Sequence, residues 1–275
     1  MVKFGLIGCG NMGGALAKAA AQVLPKEEML LANRTPTKAQ ALAVQLGGCA
    51  VGQNADVAAR AQYILLGVKP QMMADMLAGI APVLAQRTER GERFVLVSMA
   101  AGLTCAQLRE LAGGAYPVLR IMPNTPAAIG KGMTTYCAQD MTEEELDGFL
   151  AMMTGAGRFD ALEERLMDAA SSVAGCSPAF VYQFIEALAD GGVECGLPRV
   201  KALQYAAAAV EGAAALVLES GKHPGALKDE VCSPGGSTIA GVHALESGGM
   251  RAAVMDAVTA AAARGKRLGE EAAKK

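Results

Sequence analysis

Two glycine-rich turns at opposite ends of the chain carry the residue types most able to do chemistry. They are Gly8-Cys9-Gly10-Asn11-Met12-Gly13 and Cys232-Ser233-Pro234-Gly235-Gly236-Ser237-Thr238. The first has the G-x-G-x-x-G spacing between an apolar run, residues 2–7, and a helical pattern over 12–24. In that context Gly8 allows a tight turn. Gly10 lets backbone approach a pyrophosphate, and Gly13 lets the helix pack close to the strand. The helix N-terminus then offers N–H groups and partial positive charge to phosphates. Gly8, Cys9, Gly10, Asn11, Met12 and Gly13 are therefore expected to bind a dinucleotide; the competing reading is a plain structural turn.

The segment Leu30-Leu31-Ala32-Asn33-Arg34-Thr35 bears on which dinucleotide. An NAD site carries an acid there for the ribose 2′-hydroxyl, whereas an arginine suits a 2′-phosphate. Asn33 and Arg34 thus favour NADP(H), with NAD(H) as the alternative, unless Arg34 is only a solvated turn residue. Asn54 and Val68-Lys69-Pro70 fall after later strand patterns, near the carboxyl edge of a parallel sheet where ligands bind. Met122-Pro123-Asn124-Thr125-Pro126 is a rigid turn. Either Asn124 borders the nicotinamide or the prolines simply brace a connection.

In the second turn, two glycines precede Ser237 and Thr238 at the start of a helical pattern. Backbone N–H groups there can converge on an anion such as a small carboxylate. The Thr238 hydroxyl can donate or accept a hydrogen bond. On spacing alone, an ordinary N-capped helix explains the same residues.

The elements that must position these turns follow two patterns. Over the first half, apolar runs at 2–7, 29–32, 63–68, 94–98 and 118–122 alternate with helical segments. That alternation predicts parallel βαβ units and a doubly wound sheet. From about residue 160 the pattern is helical, over 161–174, 178–195, 198–220, 237–247 and from about 250 onward. The expected division is 1–159, a dinucleotide-binding Rossmann domain, and 160–275, an all-helical domain. Apolar faces and alanine runs in the second predict a homodimer through its helices.

Composition removes several classes. The 275 residues are 52% hydrophobic and 19% charged, so a sizeable core is expected. A net charge of −2 and 4% aromatics argue against nucleic acid as a partner. Seven cysteines with no C-x-x-C pair and only two histidines give no disulfide framework and no metal site by spacing. Cys9 and Cys232 are expected to be inert thiols. The alanine-rich stretch 202–218 is interrupted by Glu211, so no membrane span is expected, and a cytoplasmic protein is the reading.

The chain as a whole resembles pyrroline-5-carboxylate reductase. The resemblance rests on Gly8–Gly13, Val68-Lys69-Pro70-Gln71, Arg120–Pro126, Pro178-Ala179-Phe180 through Glu186–Val193, and His223-Pro224 through Leu227-Lys228-Asp229 to Cys232–Gly241. It runs nearly end to end, and the last stretch resembles the family signature. The resemblance implies a Rossmann domain, a helical dimerisation domain and an assembly built as a ring of dimers. It implies reduction of L-1-pyrroline-5-carboxylate to L-proline, the last step of proline synthesis. It further implies that Ser233, Gly236, Ser237 and Thr238 bind the substrate carboxylate, with the Thr238 hydroxyl at the ring nitrogen. Two stretches depart from the family: Ala174-Gly175-Cys176-Ser177-Pro178 and Tyr205-Ala206. The alternatives are a reductase of another imine or of a hydroxy acid, and a protein that binds the dinucleotide without turnover.

Overall fold

The computed structural model describes residues 2–273. They form two compact units. One runs to Cys176 and includes the end of the final helix from Ala261; the other is Ser177–Ala260.

The first unit is built on eight strands: β1 Val2–Ile7, β2 Met29–Ala32, β3 Ala50–Val51, β4 Ala61–Leu66, β5 Val95–Ser98, β6 Val118–Met122, β7 Gly132–Gln139 and β8 Gly157–Ala161. Their order across the sheet is β3-β2-β1-β4-β5-β6-β7-β8. Strands β1 to β6 run parallel. The order reverses between β1 and β4, which opens a crevice beyond the strands' carboxyl ends. Between the strands lie α1 Asn11–Ala20, α2 Pro36–Gln45, α3 Asn54–Arg60, α4 Met73–Glu89, α5 Cys105–Ala112, α6 Glu143–Met152 and, after β8, α7 Met167–Ala170.

Helices on both faces explain the near-continuous apolar strands. In β4, Ile64 and Leu66 enter one core layer, while Tyr63 and Leu65 enter the other. The doubly wound sheet expected from the alternation is present, with one addition. β7 runs antiparallel to β6, and β8 runs parallel to β7. Buried Thr134 and Thr135 break the apolar signal of β7.

The helix expected over 161–174 does not form. β8 ends at Ala161, and the chain then makes a 3-10 turn, the short α7 and one π-helical turn, Ser171–Gly175. The reason lies in β6. Arg120 is buried there, and Asp168 and Glu164 approach it at 2.6 and 3.6 Å. A buried guanidinium requires such partners, so the segment follows them rather than a regular helix.

The second unit contains α8 Ser177–Glu194, α9 Arg199–Ser220, α10 Pro224–Val231, α11 Ser237–Ser247 and the start of α12 Met250–Ala273. Four of these match the helical pattern. The unanticipated α10 starts at Pro224, and the His223 ring accepts a hydrogen bond from the Gly225 N–H at 3.0 Å. The unit's own core is small: Ala189, Ala202 and Ala206, joined by Ile185 and Val193. Alanines let α8 and α9 approach closely but bury little area. Val181, Tyr182, Val200, Leu203, Leu216 and Leu218 remain exposed. α9 is also long and apolar enough, by length and composition, to cross a membrane.

Candidate functional site

The glycine turn between β1 and α1 is shaped by three glycines with different jobs. Gly8 has φ +106°, where an L-residue is strained. A Cβ on Gly13 would lie 2.4 Å from the Gly8 carbonyl oxygen, so only glycine lets α1 pack this close. Gly10 is different. A Cβ there would meet no protein atom within 4 Å. Its bare backbone faces open space, as a turn that admits a pyrophosphate requires. Gly10 is also the N-cap of α1 and supplies no capping side chain, which suits an external anion.

A cavity opens on this turn. It is lined by Gly8, Gly10, Asn33, Arg34, Asn54, Val68 and Lys69 among the expected residues. Thr35, Lys38, Gly67, Met72 and Met76 also line it. Three cations, Arg34, Lys38 and Lys69, face one acid, Asp75. That balance suits a phosphorylated ligand, and the two methionines give an apolar wall for a flat base. Gly67 is a close-approach glycine, since its Cβ would lie 2.5 Å from the Gly8 carbonyl oxygen. Cys9 and Asn11 border a neighbouring groove with Gly10 and Lys18. Met12, Gly13 and Pro70 line neither cavity.

Two asparagines hold the frame. The Cys9 N–H donates to Asn33 Oδ1 at 2.9 Å, and Asn33 Nδ2 donates to the Thr35 carbonyl at 3.0 Å. Asn124 is buried and outside the cavity lining. It accepts from the Met133 N–H and donates to the Ala174 carbonyl, each at 3.0 Å. The departing run Ala174–Pro178 is thus anchored through its first residue. The Cys9 thiol is pushed up to about 11 by burial and then by nearby Cys49, which makes it a poor nucleophile.

In the second unit, the turn Cys232–Gly236 joins α10 to α11. Gly235 has φ +67°, and the Gly236 N–H donates to the Ser233 carbonyl at 3.0 Å. The expected Ser/Thr cap is not used: Gly236 is the N-cap and Ser237 the first helical residue. A Cβ on Gly236 would lie 2.5 Å from Ser233 Oγ and 3.1 Å from the Ser233 carbonyl oxygen, so a larger cap would require Ser233 to shift. Ser233, Ser237 and Thr238 are exposed. An adjacent hollow is lined by Gly235, Gly236, Ile239, Ala240, His243 and Glu246. At the second departure, Ala206 is buried between α8 and α9 while Tyr205 is 58% exposed.

The sequence reading did not include Lys38, Gly67, Met72 or Met76. Lys38 could have been found from its place one turn after Arg34, and Gly67 from its position directly before Val68-Lys69.

Comparison with known proteins adds independent findings. A family model described as pyrroline-5-carboxylate reductase dimerisation matches residues 164–268. A second, NADP oxidoreductase coenzyme F420-dependent, matches residues 3–102. The pyrroline-5-carboxylate reductase of Pisum sativum is 40% identical over 96% of this chain and 95% of its own. That of Escherichia coli (strain K12) is 42% identical over 94% of each. The crystal structure of Plasmodium falciparum pyrroline carboxylate reductase with NADP bound superposes with a TM-score of 0.86. It shares 30% identity, over 98% of each chain.

Proposed function

The chain belongs to the pyrroline-5-carboxylate reductase family, and from that premise we propose how its residues divide the work. It is an NAD(P)H-dependent oxidoreductase that reduces L-1-pyrroline-5-carboxylate to L-proline, and NADP(H) is its cofactor. The bound dinucleotide supplies a hydride from its nicotinamide C4; the protein supplies position and electrostatics.

The Gly10 backbone and the α1 N-terminus hold the pyrophosphate, with Gly8 and Gly13 shaping the turn and Cys9, Asn11 and Met12 completing it. Arg34 and Lys38 pair with the 2′-phosphate, and Asn33 fixes the loop that presents them. Asn54, Val68, Lys69 and Pro70 border the rest of the cofactor. Asn124 acts as a positioning residue, because both ends of its amide already hold backbone.

The turn Ser233–Thr238 binds the substrate. Ser233 and the N–H groups of Ser237 and Thr238 meet its carboxylate, while Gly236, whose own N–H holds the Ser233 carbonyl, shapes the turn that presents them. The Thr238 hydroxyl orients and polarises the ring nitrogen, which makes C5 more electrophilic. An ordinary threonine hydroxyl is a poor acid, so the proton comes from water or an already protonated imine. Holding the reacting carbons about 3–3.5 Å apart supplies much of the acceleration. The observation that carries this reading is the glycine cap of α11, which leaves the first-turn N–H groups without a side-chain cap.

The Rossmann part, within 1–159, carries the cofactor. The helical part, within 160–275, carries substrate binding and the family's dimerisation segment. The exposed apolar faces of α8 and α9 support a homodimer, which gives α9 a protein partner rather than a bilayer. A ring of dimers and a cytoplasmic location complete the proposal; seven free cysteines support the latter. The test is consumption of reduced nicotinamide with pyrroline-5-carboxylate, followed by proline analysis. Proline formed in step with NADPH oxidation supports the assignment. Folded, NADPH-binding protein that makes none would overturn it.

A further inference from the structure

The fold brings together two cysteines that lie 32 residues apart in the chain. Cys105 is the first residue of α5, after its cap Thr104. Cys137 sits on β7, opposite Arg120 of β6. Their Sγ atoms are 3.9 Å apart. That is far beyond the roughly 2.0 Å of a disulfide. It is close to the roughly 3.8 Å between two sulfurs sharing a tetrahedral ion at about 2.3 Å each.

A third donor completes the group. Glu164, in the turn before α7, brings a carboxylate oxygen to within 4.8 Å of both sulfurs. Its Oε1 accepts the Cys105 N–H at 2.6 Å, so the carboxylate is already pinned beside the thiols. Cys105 is 2% exposed and Cys137 half-buried. A cleft lined by Cys105, Tyr136, Cys137, Leu162 and Glu164 gives access from solvent.

Charge is compatible with a cation. Two thiolates, one carboxylate and a divalent ion sum to −1. Arg120, buried and shared between Glu164 at 3.6 Å and Asp168 at 2.6 Å, holds the carboxylate in place.

We propose that Cys105, Cys137 and Glu164 form a site for one thiophilic divalent cation of the zinc class. The site shares no residue with the dinucleotide cavity. Binding forms two metal–sulfur bonds and one metal–oxygen bond. The two S–H protons leave to solvent, with no change of oxidation state, and water takes the fourth position. The ion would tie the start of α5 to β7 and to the turn before α7. The fold makes this site: the chain has no C-x-x-C pair to announce it.

The test uses the full chain, reduced and stripped with a chelator, titrated with Co2+ and then Zn2+. The expected result is one Co2+ per chain, with thiolate charge-transfer absorption and tetrahedral d–d bands that Zn2+ abolishes. Cys105→Ser and Cys137→Ser should each weaken binding beyond the roughly 10–100-fold that loss of an outer-shell partner costs. Glu164→Gln should weaken it while keeping both sulfur contributions. Cys195→Ser, at an exposed cysteine elsewhere, should change nothing. NADPH binding shows that each variant is folded. No charge-transfer band in folded wild-type protein would overturn the proposal. So would a band that survives in both Cys105→Ser and Cys137→Ser, or in Glu164→Gln at unchanged affinity.

Discussion

The Cys9 N–H hydrogen-bonds Asn33 Oδ1 at 2.9 Å, which fastens the glycine turn of β1–α1 to the end of β2. The same amide holds the Thr35 carbonyl, so one side chain sets both the glycine turn and the loop carrying Arg34. Asn33→Ala should therefore loosen cofactor binding and cost about 1 kcal/mol of stability, the usual net contribution of a hydrogen bond that water can replace. Urea unfolding and NADPH titration of the same variant check both. Cys9→Ala keeps the backbone donor, so it should loosen cofactor binding less than Asn33→Ala does.

Gly10 and Gly13 separate binding from folding. A Cβ at Gly10 meets empty space, whereas one at Gly13 strikes the Gly8 carbonyl. Gly10→Ala should cost less than about 1 kcal/mol of stability yet abolish dinucleotide binding. Gly13→Ala should lose about 1–3 kcal/mol through overpacking. Thermal unfolding without cofactor, paired with NADPH binding, separates the two.

Arg34 lines the cavity at the β1–α1 turn with Lys38, and no acid stands at the end of β2. Arg34→Ala should reduce kcat/KM with NADPH by about 10–100-fold, the range for one lost charged hydrogen bond. The value with NADH should change little. Parallel steady-state kinetics with both dinucleotides read the ratio.

Acid should weaken the first unit through Glu145. Burial alone would raise its carboxyl. Hydrogen bonds from Arg93, at 2.5 and 3.1 Å, and from the Thr142 N–H, at 2.9 Å, outweigh that and hold it below the usual range. A depressed carboxylate contributes stability that is complete above the unfolded value of about 4.3. That stability is lost as pH falls through the lower folded value. Because Arg93 is half exposed, the contribution is of order 1 kcal/mol. Glu145→Gln should flatten the acid limb of a stability-against-pH curve while leaving the Thr142 cap contact.

The parallel core was legible because β2 is an unbroken apolar run and β1 and β6 are apolar but for Lys3 and Gly5 in the one and Arg120 in the other, each flanked by helical patterns. Their bounds match the sequence reading. β4 was shifted, since Gly67 and Val68 look like strand but form the turn that Gly8 touches. β7 was hidden by its buried threonines, and the stretch after β8 by Arg120, a long-range demand that no local pattern carries. At the cofactor turn, motif spacing named the glycines but not Lys38, which shares the cavity only once α2 folds. Cys105, Cys137 and Glu164 are the extreme case. Their proximity depends on strand pairing and on Arg120, neither of which is written in their spacing.

The central claim is that the turn before α11 handles the substrate. It is tested most directly by proline formation in Thr238→Ala, with NADPH affinity measured on the same protein. The account predicts unchanged NADPH affinity and turnover lower by about a hundredfold, the scale of losing one donor in the transition state. Wild-type turnover in that variant would contradict it and remove Thr238 from the reaction.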